Sequence, residues 1–341
     1  VVAGTGQDHQ FICKSFVNKA DALDFAEKEC SSLSFVRILK PVMPVPSNRN
    51  GNLPFQDFHN LVSNSGLMQR SLGQLGLDYE VSRSGWDADE VNRQMITLVK
   101  IWKESIKAGL TGTEYSDRLI GSQSPLFLKR LQEGKLISAG PLNRMIAYST
   151  ALMEVKSSMG VIIAAPTAGS CGGLPGCLIG LADEQSISEE TLVKGFWAAG
   201  LVGLFIAQGA TFAAEVAGCQ AETGAGAAMA AAGLVEMAGG TAQQALDAAS
   251  VALQNIIGLV CDPVANRVEI PCLGRNVAAA GNALTSANMI LGGMDPVIPL
   301  AESVQTMMDV GKTMPSALRC TALGGLAATP TAKLLESRIS C

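Results

Sequence analysis

The strongest constraint on this chain is a stretch without charge. Between Lys194 and Glu215 it reads GFWAAGLVGLFIAQGATFAA, long enough as a helix to cross a bilayer. A second uncharged run, NVAAAGNALTSANMILGGM, lies between Arg275 and Asp295. Both carry interior polar residues, Gln208 and Thr211 in the first and Asn282, Thr285, Ser286 and Asn288 in the second. Neither has one-sided Lys/Arg flanks or an aromatic belt. The expectation is therefore a helix enclosed on all sides by other helices, not a membrane span. Hydrophobic residues make up 48% of the chain but aromatics only 5%, with 36 glycines. Such a core is built from Ala, Val, Leu, Ile and Met, and lets backbones approach closely.

Charge narrows the partners. A net charge of −5 lacks the basic footprint of a nucleic-acid binder or polybasic membrane anchor, while a small zwitterionic ligand held by local dipoles is compatible with it. VVAGTGQDHQ shows no basic start followed by an apolar stretch, so a secretory leader is not expected within this stretch. Nine cysteines without a regular spacing suit reduced thiols or metal ligands in the cytoplasm better than a disulfide framework.

The expected fold is mainly α: a large all-α multi-helix domain preceded by a small β-α-β unit. In residues 1–40, FICKSFV (11–17) and SFVRILK (34–40) read as strands flanking a helix at 19–30. PVMPVPSNRNGNLP (41–54), with four prolines, is a linker. From 55 to 341 the signals are helical, with helices expected at 55–75, 86–107, 124–134, 140–158, 224–238, 276–291 and 300–311. Ser186 with Glu189 reads as a capping box opening the helix of the first uncharged run, and Thr241 with Gln244 as another. APTAGSCGGLPG (165–176) has the composition of a backbone nest that holds a carboxylate.

Cys219, Cys261 and Cys272 each stand beside Gly or Pro in polar loops, where backbone N–H groups could bond cluster sulfurs. Their spacing matches no zinc knuckle or ferredoxin run, and small buried hydrophobes are the alternative. Three thiolates on a [4Fe–4S] cluster would leave one iron open as a Lewis acid.

Five segments then give a specific resemblance. AAPTAGSCGGLPG (164–176), GCQAE (218–222), LGLVCDPVANRVEIPC (257–272) with RN (275–276), and MPSALRCTALGGLAATPT (314–331) resemble, in order, signature segments of the iron–sulfur-dependent L-serine dehydratases (L-serine ammonia-lyases), in their α-chain domain. The resemblance runs from about Phe55 to Arg338. It implies a [4Fe–4S] cluster on Cys219, Cys261 and Cys272, no pyridoxal phosphate, and β-elimination of water from L-serine to pyruvate and ammonia. Thr167, Gly169 and Ser170 are the candidates for the substrate carboxylate.

The chain also departs from that pattern. The SSSHT segment that bacterial members carry in an N-terminal domain or separate β-chain is absent, so the 1–40 unit is expected to be a remnant of that domain, with a β-chain supplying the rest. His59 is the candidate base, His9 a weaker one. Cys341 resembles the terminal cysteine with which some single-chain members cap the open iron. Cys171 and Cys177 are read as packing, and Cys13, Cys30 and Cys320 as structural, the last where the family places an acid. Small-residue helix faces suggest a homodimer. Two alternatives remain: a cysteine desulfidase of the same superfamily, and a subunit inactive without its β-chain.

Overall fold

The structure is a computed structural model that describes residues 2–4, 11–13, 19–29, 35–37, 48 and 51–339. It forms two compact units, Val1–Pro46 and Ser47–Cys341. The described part of the first holds helix α1 (Lys19–Glu29) and strands β1 (Val2–Gly4), β2 (Phe11–Cys13) and β3 (Phe35–Arg37). β1 lies between antiparallel partners, Ala3 facing Ile12 on one side and Val36 on the other. The expectations for His9, Cys30 and Cys341, and for most of the proline-rich 41–54 segment, fall outside the described residues.

The second unit is helical. Its one extended pairing among the described residues is a parallel bridge between Cys261 and Arg319. The single helix expected over 55–75 is instead α2 (Phe58–Val62), α3 (Ser65–Met68) and the start of α4 (Leu72–Ser84). Each restart has its own polar cap: Asp57 accepts from Asn60 N–H, Asn64 from Gly66 and Leu67, and Ser71 from Gln74. Short polar side chains that bond nearby backbone donors break a helix as readily as they begin one. α5 (Ala88–Thr111) opens at Asp87, with Asp89 and Glu90 in the first turn, and buries Val91, Met95, Val99, Trp102 and Ile106 along one face. α6 (Ser124–Gln132), α7 (Leu142–Ser157) and α8 (Gly173–Gln185) follow.

α9 (Glu189–Gly209) contains the first uncharged run. Ser186 does not cap it: with φ of 55° it closes α8 in the left-handed conformation, and Ser188, extended, accepts from Thr191 N–H. A residue spent on ending one helix cannot also present its hydroxyl to the next. The Thr241–Gln244 capping box opens α12 (Ala242–Gln254) as expected. Before it come α10 (Ala214–Ala217), a π-helical turn at Gln220–Gly224, and α11 (Ala225–Met237); after it come α13 (Cys272–Leu291), α14 (Leu300–Thr313) and α15 (Pro330–Ile339).

The core forms around α11, in which every residue from Ala225 to Val235 is buried. α9, α12, α13 and α8 surround it. α9 is the one described helix long and apolar enough to cross a membrane, and its Phe196, Ala199, Val202 and Ile206 are buried inside this unit. Glycine sets how closely α9 and α11 approach: a Cβ on Gly233 would sit 2.8 Å from the Gly195 carbonyl oxygen and from a Leu178 methyl. The large residues of the same core, such as Leu178, Ile179, Leu246 and Leu253, are fully buried, each stabilising the fold by roughly 1.5–3 kcal/mol.

Candidate metal centre

Three chain segments end at one place. Cys219 follows Gly218, whose φ of 74° turns the chain out of α10. A side chain on Gly218 would meet the Leu259 carbonyl oxygen at 2.8 Å, so glycine is needed there for space as well as for conformation. Cys261 is clamped to the segment before α15: its N–H donates to Leu318 O at 2.8 Å, and its carbonyl accepts from Cys320 N–H at 2.9 Å. Cys272 is the first residue of α13. The three are 1%, 2% and 6% exposed.

Their sulfurs act on one another electrostatically. The neighbouring Cys261 and Cys272 thiols and the Arg275 guanidinium hold Cys219 below the ordinary thiol value. The same interaction, with burial, pushes Cys261 and Cys272 well above it. Cys219 is thus the sulfur this site favours as a thiolate, beside two further thiols and a cation. Arg275, one turn into α13 from Cys272, reaches Cys219 Sγ at 3.5 Å, Val260 O at 2.8 Å and Asp262 at 2.7 Å. Asp262 is 3% exposed and also accepts from Leu326 N–H at 2.7 Å.

Glu222 supplies an oxygen at the same place: one ligand atom from each of Cys219, Glu222 and Cys261 lies within 4.8 Å of the others. Burial raises its carboxyl to about 7, against the opposing hydrogen bond from Thr167. That bond, Thr167 Oγ1 to Glu222 at 2.7 Å, ties the APTAGS loop to the thiols. A Cβ on Gly169 would stand 3.0 Å from the Glu222 carboxylate. Asn276, fully buried, fastens the loop to α13: its Oδ1 accepts from Gly172 and Gly173 N–H at 3.0 Å, and its Nδ2 donates to Gly169 O and Cys272 O at 2.9 Å. Ser170 is fully buried and its hydroxyl has no partner. Lys156, from α7, donates to Val268 O at 2.7 Å; desolvation pulls its ammonium below the ordinary value, against the pull of Cys171, Cys272, Glu269 and Glu222.

Thr167, Gly169 and Ser170 are therefore brought to the three cysteines through Glu222 and Asn276. His59 is not among them: it is exposed on α2, edge-on to Phe58. Cys171 and Cys177 are buried, and desolvation raises both thiols, Cys171 to about 12. Sequence reasoning left Glu222, Arg275 and Asn276 without roles. The signal was present for all three, since Glu222 stands three residues after Cys219, Arg275 three after Cys272 and Asn276 four after Cys272, spacings that share a helical face. Cys320, left as structural, has its thiol against Cys261.

Buried cysteine sulfurs beside a cation are a donor set for soft metals such as iron in sulfur clusters or zinc. A [4Fe–4S] cluster fits these residues by its chemistry: Cys219 is favoured as a thiolate, Arg275 offsets the added negative charge, and Glu222, bonded to the APTAGS loop, offers an oxygen beside the thiols.

Comparison with known proteins adds the following. The family model described as serine dehydratase alpha chain matches residues 22–327. A Bacillus subtilis protein named probable L-serine dehydratase, alpha chain, is 35% identical over 251 residues, 74% of this chain and 84% of that one. The L-serine dehydratase alpha chain of Peptoniphilus asaccharolyticus is 38% identical over 263 residues, 77% of this chain and 90% of that one. An L-serine dehydratase of Helicobacter pylori is 30% identical over 250 residues, 70% of this chain but only 55% of its own length.

Proposed function

This chain belongs to the serine dehydratase alpha-chain family, whose members are lyases, and from that premise we propose that it eliminates water from L-serine to give pyruvate and ammonia, using a [4Fe–4S] cluster held by Cys219, Cys261 and Cys272. The observation that carries this reading is the convergence of Cys219 and Cys261 on the carboxylate that also holds the APTAGS loop, with Cys272 tied to the same loop through Asn276. When bound, the cluster supplies a Lewis-acidic iron that makes the serine hydroxyl a feasible leaving group. Arg275 balances the thiolate charge. Thr167, the Gly169 backbone and the Ser170 hydroxyl receive the substrate carboxylate, and Asn276 fixes their position relative to Cys272. Glu222, bonded to Thr167 and beside Cys219, is the carboxyl best placed to exchange a proton with substrate, ahead of the exposed His59.

We extend the reading to the rest of the molecule. Residues 1–40 form a small β-α-β unit, the enzyme works in the cytoplasm as a homodimer, and Cys341 caps the open iron in the absence of substrate. A second reading has specific support: the relatives that this chain nearly covers are named alpha chains, while it covers about half of the Helicobacter pylori protein. A separate β-chain then completes the site. The test is anaerobic reconstitution with iron and sulfide, followed by assay on L-serine. A brown chain with about four irons and four sulfides that releases pyruvate is the expected result. Activity that appears only on mixing with a β-chain selects the second reading. A chain that stays colourless after anaerobic reconstitution overturns the cluster.

A further inference from the structure

A further thiol, Cys320, stands against two of the proposed cluster ligands without being one of them. It follows Arg319, the bridge partner of Cys261, and its N–H donates to Cys261 O at 2.9 Å. A contact of that length limits the two Cα atoms to a separation of about 7 Å or less, the limit within which a disulfide can be closed. The side chains meet as well: Cys320 packs against the buried pair Cys219 and Cys261. Its φ of 61° is left-handed, a conformation that costs a non-glycine residue on the order of 1–2 kcal/mol, so the surrounding fold keeps this thiol where it is.

Exposure sets the order of events. Cys219, Cys261 and Cys272 are buried, whereas Cys320 is half-buried. It is the member of the four that a molecule in solution reaches first.

We propose that Cys320 and Cys261 are a redox pair, which in the metal-free chain closes to a disulfide by exchange with a low-molecular-weight disulfide and so withdraws Cys261 from the three-thiol site. The Cys320 sulfur attacks one sulfur of the incoming disulfide, whose S–S bond breaks and releases one small thiol. Cys261 then attacks the Cys320 sulfur of the mixed disulfide and releases the second. Two protein thiols are oxidised, the small disulfide is reduced to two thiols, and the two protein protons leave with them. Metal held on Cys261 prevents closure, so the pair distinguishes the loaded from the empty chain. The disulfide itself stands on the Cys261–Cys320 contact, and only its consequence for metal loading rests on the function proposed above.

The experiment uses the metal-free full chain, incubated with oxidised glutathione, alkylated, and cleaved by trypsin and a glutamate-specific protease, which separate the four cysteines. The expected product is a Cys261–Cys320 cross-link, with at least tenfold less Co2+–thiolate absorbance on later addition of cobalt, restored by a dithiol reductant. C320S, and C320G whose glycine suits the left-handed backbone, are each to keep Cys261 open to alkylation and keep cobalt absorbance after the same treatment; circular dichroism confirms retained helix. A cross-link of Cys219 to Cys261 or Cys272 instead, or loss of free Cys261 in both variants as fast as in the unaltered chain, overturns the proposal. If the 261–320 cross-link forms but the reduced chain shows no cobalt–thiolate absorbance, the redox pair stands and the three-thiol metal site fails.

Discussion

Replacing Arg275 by methionine tests the electrostatic argument at the centre of the site. The Arg275–Asp262 pair is 2.7 Å long, with side chains 14% and 4% exposed. The methionine keeps much of the apolar stem and removes the cation, leaving Asp262 with the Leu326 N–H as its remaining hydrogen bond in that group. Removing one partner of a buried pair costs about 3–5 kcal/mol, because the other charge stays buried. The residual exposure of Arg275 puts the expectation at the low end, about 3 kcal/mol. With an unfolding entropy of about 2.1 cal/mol/K per residue over roughly 300 residues, that corresponds to a melting temperature about 5 °C lower. The assay is circular dichroism melting of the reduced, metal-free chain. The double variant R275M/D262N removes the stranded charge as well and should recover more than half of the loss, a coupling of about 2 kcal/mol. A single variant melting within 1 °C or so of the original, or a double variant no better than the single, refutes the claim that Arg275 neutralises a buried carboxylate.

Gly233→Ala gains up to about 1 kcal/mol of helix propensity but forces α9 and α11 apart at the Gly195 carbonyl, an overpacking cost of about 1–3 kcal/mol; thermal melting should show net destabilisation, and a higher melting temperature would show that the helices part freely. Ser170→Ala removes an unpartnered buried hydroxyl, so the melting temperature should stay level or rise while KM for serine rises about tenfold, the loss of roughly one substrate hydrogen bond. An unchanged KM would take Ser170 out of the substrate site. Cys219→Ser should lower Co2+ affinity by at least tenfold, measured by thiolate absorbance, whereas Cys177→Ala, at a buried thiol away from the other three, should leave it unaltered. Equal effects at both positions would mean that the convergence of thiols has no bearing on metal binding.

Much of this was legible along the chain because it is a local property. The helical unit follows from apolar spacing, with Asp87 and Thr241 marking helix starts through their own side-chain oxygens. The 55–75 segment misled because its apolar pattern is continuous while Asn64 and Ser71 interrupt the backbone. Ser186 misled because its hydroxyl has the right spacing, yet its backbone is used to end α8. Periodicity reports which side of a segment is apolar, and says little about a local competition for backbone donors.

The site divides in the same way. The grouping of Cys219, Cys261 and Cys272 was an expectation of the family resemblance that their segments carry, and the small-residue composition implied closely packed helices, which the structure realises where Gly195 and Gly233 face one another. That Glu222 joins the thiols to Thr167, that Asn276 pins the loop to α13, and that Cys320 rests on Cys261 were decided by the tertiary structure. These contacts join segments far apart in the chain. Their existence depends on how α8, α11 and α13 are set against one another, and that placement is determined by the shape of the shared core, in which no single segment carries the information.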